Sequence, residues 1–582
     1  MKGLTLAAGR ALRSAAMLGS VIILSGADPA LAAGAPANPA PAEMPARPAD
    51  APRLFTEPYA DYLRAISLAN EGSEPEALNV LAASLRKQPE HNPAAAIAFQ
   101  LLGQLRVTSS LQLRGHTGAV LCAAYSPDGT KIITGSEDQT ARIWDSQTGL
   151  PLLPPLQCGD DVTVVVFSND SKFVATGSDK GVAQVWDATT GKAVGDPMVK
   201  TDAIRAMDFS PDGKLLATGS DDNYGCIWNA TTGKNVFTAP RYHDSVFGAQ
   251  FSPDGSRVLY ATADGRADVY DVQTGKLVVG PMRHGNNVMS GYYSPDGKKI
   301  VTGSSDDTAR VWDAATGAPL TPPMPCGYWL FSARFNFDAT RVVTASWDHT
   351  AEVWDATTGR KITPPLRHGD AVYQAVFSPD GTMVATASRD HTARVWDSTT
   401  GDALTLPLRT DDEVTTVAFN HAGNSVLVAS RDGTVRFWDM PPREAPPEWV
   451  ADLCDFAWTQ VRYDANRLGF QDQMMTKITA LRDKLLTSKS DDAWTKFGRW
   501  YFMEGDVRPV TPWSTVSLKQ YVDGYINLGD KDSLDYAISL SQNEPMWMVK
   551  LIPLRNKFSP PYAPPTPKQG GPAGHATGGT DN

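Results

Sequence analysis

Histidine, serine and aspartate recur at one fixed spacing in this chain of 582 residues: His116, Ser136 and Asp138; His284, Ser304 and Asp306; His368, Ser388 and Asp390. These are the side chains of a base, a nucleophile and an orienting carboxylate, so the chemistry they suggest is acyl transfer or hydrolysis. The repetition itself argues against that reading. A catalytic set is normally built once and placed in one pocket, whereas this one is complete three times. Elsewhere it decays: Lys180 replaces an Asp, and Cys158, Lys200, Cys326 and Thr410 stand where His would be. None of these serines lies in a Gly-x-Ser-x-Gly elbow. The chain also lacks a GxxxxGK[ST] loop, an HExxH pair and a Cys/His cluster, so no cofactor and no metal are expected. Asp411, Asp412 and Glu413 form an acidic trio that reads as a solvated loop.

The elements that carry these residues follow from a repeat. Trp144, Trp186, Trp228, Trp312, Trp354, Trp396 and Trp438 recur with Tyr270 at intervals of 42 residues, and Asp follows at seven of the eight. Each unit holds alternating runs such as VYQAVFSPDG, MVATASRDHT and ARVWD, separated by Asp-Gly or Thr-Gly turn signals. Four short strands fill such a unit, which cannot bury both faces alone, so the copies must stack. The period, the terminal Trp-Asp and Gly115-His116 resemble the WD-repeat family of β-propellers over residues 110–440. That resemblance implies a mainly β fold with eight blades. The prolines of MPPREAPPEW, after Asp439, cannot supply a last outer strand, so SSLQLRG ahead of the first repeat is expected to close the ring.

The resemblance also assigns the triad-like residues to a buried network. In it the turn Asp accepts from His, His reaches the Ser hydroxyl, and Ser reaches the indole of Trp144, Trp312 or Trp396. Members of the family bind partners on the face carrying the d–a loops and b–c turns, so function should lie where the copies differ there. The residue before the turn Asp reads Glu137, Asp179, Asp221, Ala263, Ser305, Trp347, Arg389 and Arg431 round the ring. Tyr328 and Trp329 add aromatics in the sixth copy. Exposed Trp, Tyr and Arg dominate interface hot spots, which makes Tyr328, Trp329, Trp347, Arg389 and Arg431 the expected partner patch.

Formal net charge is −11 and the basic residues form no run, which argues against nucleic acid. Lys2, Arg10 and Arg13, a short apolar stretch and Ala30-Leu31-Ala32 read as a signal peptide over 1–32, implying a periplasmic or secreted protein with no membrane span after cleavage. A Pro/Ala linker follows over 33–53, and residues 54–106 read as a helical segment faintly resembling a tetratricopeptide pair. Residues 441–558 read as a Trp-rich helical module and 559–582 as a disordered Pro/Gly tail. Five cysteines without paired spacing give no disulfide framework. Together these features point to a non-enzymatic, protein-binding scaffold of a bacterial envelope. Two alternatives stand beside it: a ligand-binding or hydrolytic site in the central channel, or a structural subunit that self-associates through the C-terminal module.

Overall fold

The structure is a computed structural model that describes residues 57–88, 92–106, 111–461, 468–503, 508–541, 551–555 and 557–558. The expected signal peptide, the 33–53 linker and the 559–582 tail lie outside the described residues.

Eight four-stranded antiparallel sheets follow one another along the chain. In the first blade strands a to d are Val120–Tyr125, Lys131–Ser136, Thr140–Asp145 and Leu156–Gln157. The eighth blade takes Val414–Phe419, Ser425–Ser430 and Val435–Asp439 from the end of the repeats and its outer strand, Leu111–Leu113, from their beginning. Inner strands touch in cyclic order, and the eighth touches the first, where the Thr415 hydroxyl donates to the Val120 carbonyl at 2.9 Å. The chain is thus an eight-bladed propeller closed by its N-terminal strand.

Two local devices recur in every blade and shape one face. The b–c turn places a residue in the left-handed region, filled by Gly181, Gly265 and Gly433 in three blades and by non-glycine residues such as Gln139 and Asp307 in the other five. In the blades that keep the turn Asp, its carboxylate grips the turn, as Asp138 does by accepting from the backbone N–H and hydroxyl of Thr140. The second device is a bulge after the first residue of strand a, seen at Val120/Cys122 and at the equivalent place in all eight blades. It takes the second residue out of the ladder.

Helices at the two ends of the chain build one body. α1 (Glu57–Asn70), α2 (Glu74–Lys87) and α3 (Asn92–Arg106) precede the ring; α4 (Trp449–Val461), α5 (Leu468–Thr487) and α6 (Ala493–Phe502) follow it. The sequence treats these as separate segments, yet they share a hydrophobic core. Phe99 of α3 meets Phe497 at 4.6 Å and Trp494 edge-on at 6.3 Å, and Arg86 pairs with Asp455 at 2.7 Å. The body sits on the seventh blade: Tyr62 donates to the Ala403 carbonyl at 2.7 Å, and the Leu406 N–H donates to Gln100 at 2.8 Å. A second unit begins at Gln520. It holds most of α7 (Leu518–Leu528) and all of α8 (Lys531–Leu540), where Tyr521, Tyr525 and Tyr536 pack on one another.

Candidate functional site

The triad-like sets are hydrogen-bond chains, and the serine is not in them. In the first blade Trp144 Nε1–H donates to Thr134 Oγ1 at 2.9 Å, and Thr134 Oγ1 lies 2.7 Å from His116 Nε2. His116 Nδ1 lies 2.8 Å from Asp138 Oδ2. Thr302 and Thr386 take the same place between Trp312 and His284 and between Trp396 and His368. One proton assignment satisfies every member: indole to hydroxyl, hydroxyl to Nε2, and Nδ1–H to carboxylate. Burial pushes the His116 and His368 imidazoles down despite their Asp partners, which matches a neutral ring. Burial acts the other way on Asp138, but the bonds from His116 and Thr140 still hold its carboxyl well below the usual range.

The expected Ser136, Ser304 and Ser388 are therefore corrected to Thr134, Thr302 and Thr386. Each serine instead fastens the loop: Ser136 Oγ donates to the Gly118 carbonyl and accepts from the Asp138 N–H, both at 3.1 Å. Ser304 and Ser388 repeat the arrangement. With Nε2 already accepting from Thr, no imidazole lone pair is directed at a serine, and the constellation does not form a nucleophile–base pair. Partial copies keep the Thr–Trp half; Trp354 Nε1–H donates to Thr344 at 3.0 Å, and Cys326 stands 3.6 Å from the same oxygen. The threonine signal was present in the sequence, ten residues before the Trp in each of these copies. All five cysteines are free thiols.

The loop face is ordered by a backbone bond that recurs eight times. The N–H of each residue before the turn Asp donates to the last loop residue ahead of strand a, as Glu137 does to Ala119 and Trp347 to Trp329, both at 2.9 Å. The two variable positions are thereby neighbours in every blade, and the bulged residue of strand a joins them. In blades six and seven these positions hold a chain of rings. Tyr328 stacks on Trp329 at 5.2 Å and 24°, and Trp329 meets Trp347 at 6.4 Å. Trp347 packs on Phe331 at 5.6 Å, and Phe331 on Tyr373 at 5.5 Å. Phe331 and Tyr373 are buried, Trp329 and Trp347 half-buried, and Tyr328 is 44% exposed. Both floor residues occupy the bulge position, and its variation along the chain (Leu121, Thr163, Arg205, Phe247, Met289, Phe331, Tyr373, Thr415) is the sequence signal that marks them.

The two arginines of the expected patch are differently placed. Arg389 Nε donates to Glu413 at 3.0 Å, and the same carboxylate accepts from Tyr373 at 3.1 Å. Arg431 reaches across the closing seam to Glu137 at 2.6 Å. On the far side of the face, buried Arg205 binds Asp221 at 2.6 Å and Asp179 at 3.2 Å. Each of these cations is held by an acid of a neighbouring blade, and Arg205 by one of its own blade as well.

Seven stretches match the family model described as WD domain, G-beta repeat: 106–145, 155–187, 198–229, 277–313, 326–355, 362–397 and 404–439. These are WD40 repeats. The fourth blade, Val246–Arg283, carries Tyr260 and Tyr270 where other blades have the network Thr and Trp, with Tyr242 ahead of it in the place of His, and residues 230–276 lie outside those matches. The chain is 49% identical over 43 residues to a Notchless protein homolog of Arabidopsis thaliana, 7% of this chain and 9% of that protein. It is 60% identical over 38 residues to the ribosome biogenesis protein YTM1 of Ajellomyces capsulatus, 6% and 8% of the two chains. Protein Mut11 of Chlamydomonas reinhardtii is 39% identical over 61 residues, 10% and 14%. The matches thus span a small fraction of those relatives, about the length of a repeat or a little more. A crystal structure of the computationally designed Ika8 protein aligns at a TM-score of 0.51 with 27% identity, covering 56% of this chain and 98% of that one. A WD40 propeller of this kind fits a protein-interaction scaffold. Among the described residues no three His, Cys, Asp or Glu side chains converge on a metal position. No helix among them is long and apolar enough to cross a membrane.

Proposed function

We propose that the protein is a non-enzymatic docking platform, exported to the cell envelope, that binds a protein partner on the loop face of blades six to eight. The observation that carries this reading is the ring chain Tyr328–Trp329–Trp347. It is a solvent-facing aromatic step in one sector of a ring whose other pre-turn positions are small or charged. A rigid buried floor of Phe331 and Tyr373 supports it, as an interface anchor requires. Its aromatic members are the working residues of the patch, while Arg389 and Arg431 tie neighbouring blades together. The relatives named for ribosome biogenesis share only repeat-length stretches, so they support the platform and not the pathway. Export rests on the N-terminal basic, apolar and Ala-x-Ala pattern.

The test is crosslinking with mass spectrometry in cells that make the protein, with fractionation of the same cells. Tyr328→Ala and Trp347→Ala chains should fold and lose the crosslinked partner. Folded variants that recover it at wild-type yield refute the face, and a cytosolic protein refutes export.

A further inference from the structure

Resting on the docking reading above, the charges round the aromatic step specify what it takes. The arginines that would attract an acidic partner are already engaged: Arg389 by Glu413, and Arg431 by Glu137. The acids beside the step are not neutralised to the same degree. The Cys326–Tyr328 segment is bracketed by two of them: the Cys326 N–H donates to the Asp307 carbonyl at 2.9 Å, and the Gly327 N–H to the Asp348 carboxylate at 2.9 Å. Asp307 stands in a left-handed turn with one carboxylate oxygen shut from water and without a hydrogen-bond partner. Burial, with Asp306 and Asp348 nearby, pushes its carboxyl up. Asp370, one blade on, has His349 at 3.9 Å. Across the face, burial and the charges of Asp160, Glu137 and Asp179 push Asp161 up as well. The mouth of the ring is thus an acidic field around exposed rings.

We infer that the occupant of the step is a basic segment of the protein partner, with an Arg or Lys side chain laid on Tyr328, Trp329 and Trp347 and the acids of blades five to seven around it. Ring faces carry negative charge and draw cations, most strongly when the cation is partly desolvated. The acids add long-range attraction, which raises the encounter rate and repels an acidic competitor. An acidic segment would meet like charge on both sides of the rings and find no free guanidinium among Arg205, Arg389 and Arg431.

The test uses the full chain and three fluorescein-labelled peptides of one length, alternating glycine with arginine, citrulline or glutamate. Binding is read by anisotropy at low and high salt. The arginine peptide should bind, weakening as salt rises, and the citrulline peptide should bind at least about 10-fold more weakly. The glutamate peptide should not bind. Tyr328→Ala and Trp347→Ala should each cost about 10-fold, Tyr328→Phe and Trp347→Phe far less, and Asp370→Asn a few-fold. Val236→Ala, on the exposed outer edge, should change nothing. Equal binding of the citrulline peptide, preference for glutamate, unaltered binding by the folded alanine variants, or binding of no peptide overturns the inference.

A photocrosslinking residue placed at 328 in cells separates this from failure of the docking face. Capture of a partner through an acidic or neutral segment keeps the face and overturns the basic occupant. Capture from position 236 but not from 328 overturns the face itself.

Discussion

Replacing Thr386 by valine keeps the volume of a fully buried side chain and removes one oxygen. That oxygen accepts from Trp396 Nε1–H at 2.9 Å and bonds His368 Nε2 at 2.7 Å. Without it, two buried polar groups lose their partners in a site closed to water. An orphaned buried group costs about 1–3 kcal/mol, so Thr386→Val should cost about 2–4 kcal/mol. Thr344→Val is the internal control, because Thr344 serves Trp354 but faces the thiol of Cys326 where His would be. One strong donor is orphaned there, and the cost should be about 1–2 kcal/mol. Ser388→Ala removes bonds to the Asp370 and Ala371 carbonyls and to the Asp390 N–H, of which Asp370 and Asp390 are only half-buried, for about 1 kcal/mol. Urea unfolding followed by tryptophan fluorescence measures the three, compared at unchanged m. The expected order is Thr386→Val, then Thr344→Val, then Ser388→Ala. A Ser388→Ala variant at least as destabilised as Thr386→Val refutes the threonine-centred network and returns the serine to it.

Three further outcomes follow from the same structure. Burial lowers the folded His116 and His368 values, so the unfolded chain binds more protons below the ordinary His value of 6.5, and stability falls as pH drops through that point. The depressed Asp138 and Asp390 carboxyls extend the loss to lower pH. Melting temperatures from pH 7.5 to 5 should decline, and His116→Gln with His368→Gln should flatten the slope. At the closing seam, Leu113 of the N-terminal strand is buried, whereas Arg431 and Glu137 are about one-third exposed. Leu113→Ala should therefore cost about 2–4 kcal/mol and Arg431→Ala under about 1 kcal/mol, read by urea midpoints. Phe99→Ala should cost about 3–5 kcal/mol in the helical body, and limited proteolysis should then release the helices before 106 and after 449 while the ring resists.

What the sequence conveyed depended on how far apart the cooperating residues lie. A period of 42 with a Trp or Tyr at its end decides strand number and blade number, because every contact these need lies within one repeat or the next. Closure follows instead from the prolines after Asp439 and pairs Leu111–Leu113 with the far end of the repeats. The threonine of the network is equally local, ten residues before its Trp, but the family pattern points to the serine two residues on. The helical body was illegible for a different reason. Amphipathic segments before and after the ring each need a cover, and nothing in either names the other; Phe99 meets Phe497 only because the ring brings its two ends together. The same closure decided the charges of the docking face. Arg431 looked like a free cation because its partner Glu137 lies 294 residues away along the chain and one blade away in space. Pairing it takes a cation out of the expected patch and leaves aromatic rings in an acidic field. That loss is a property of the closed ring, which no single repeat contains.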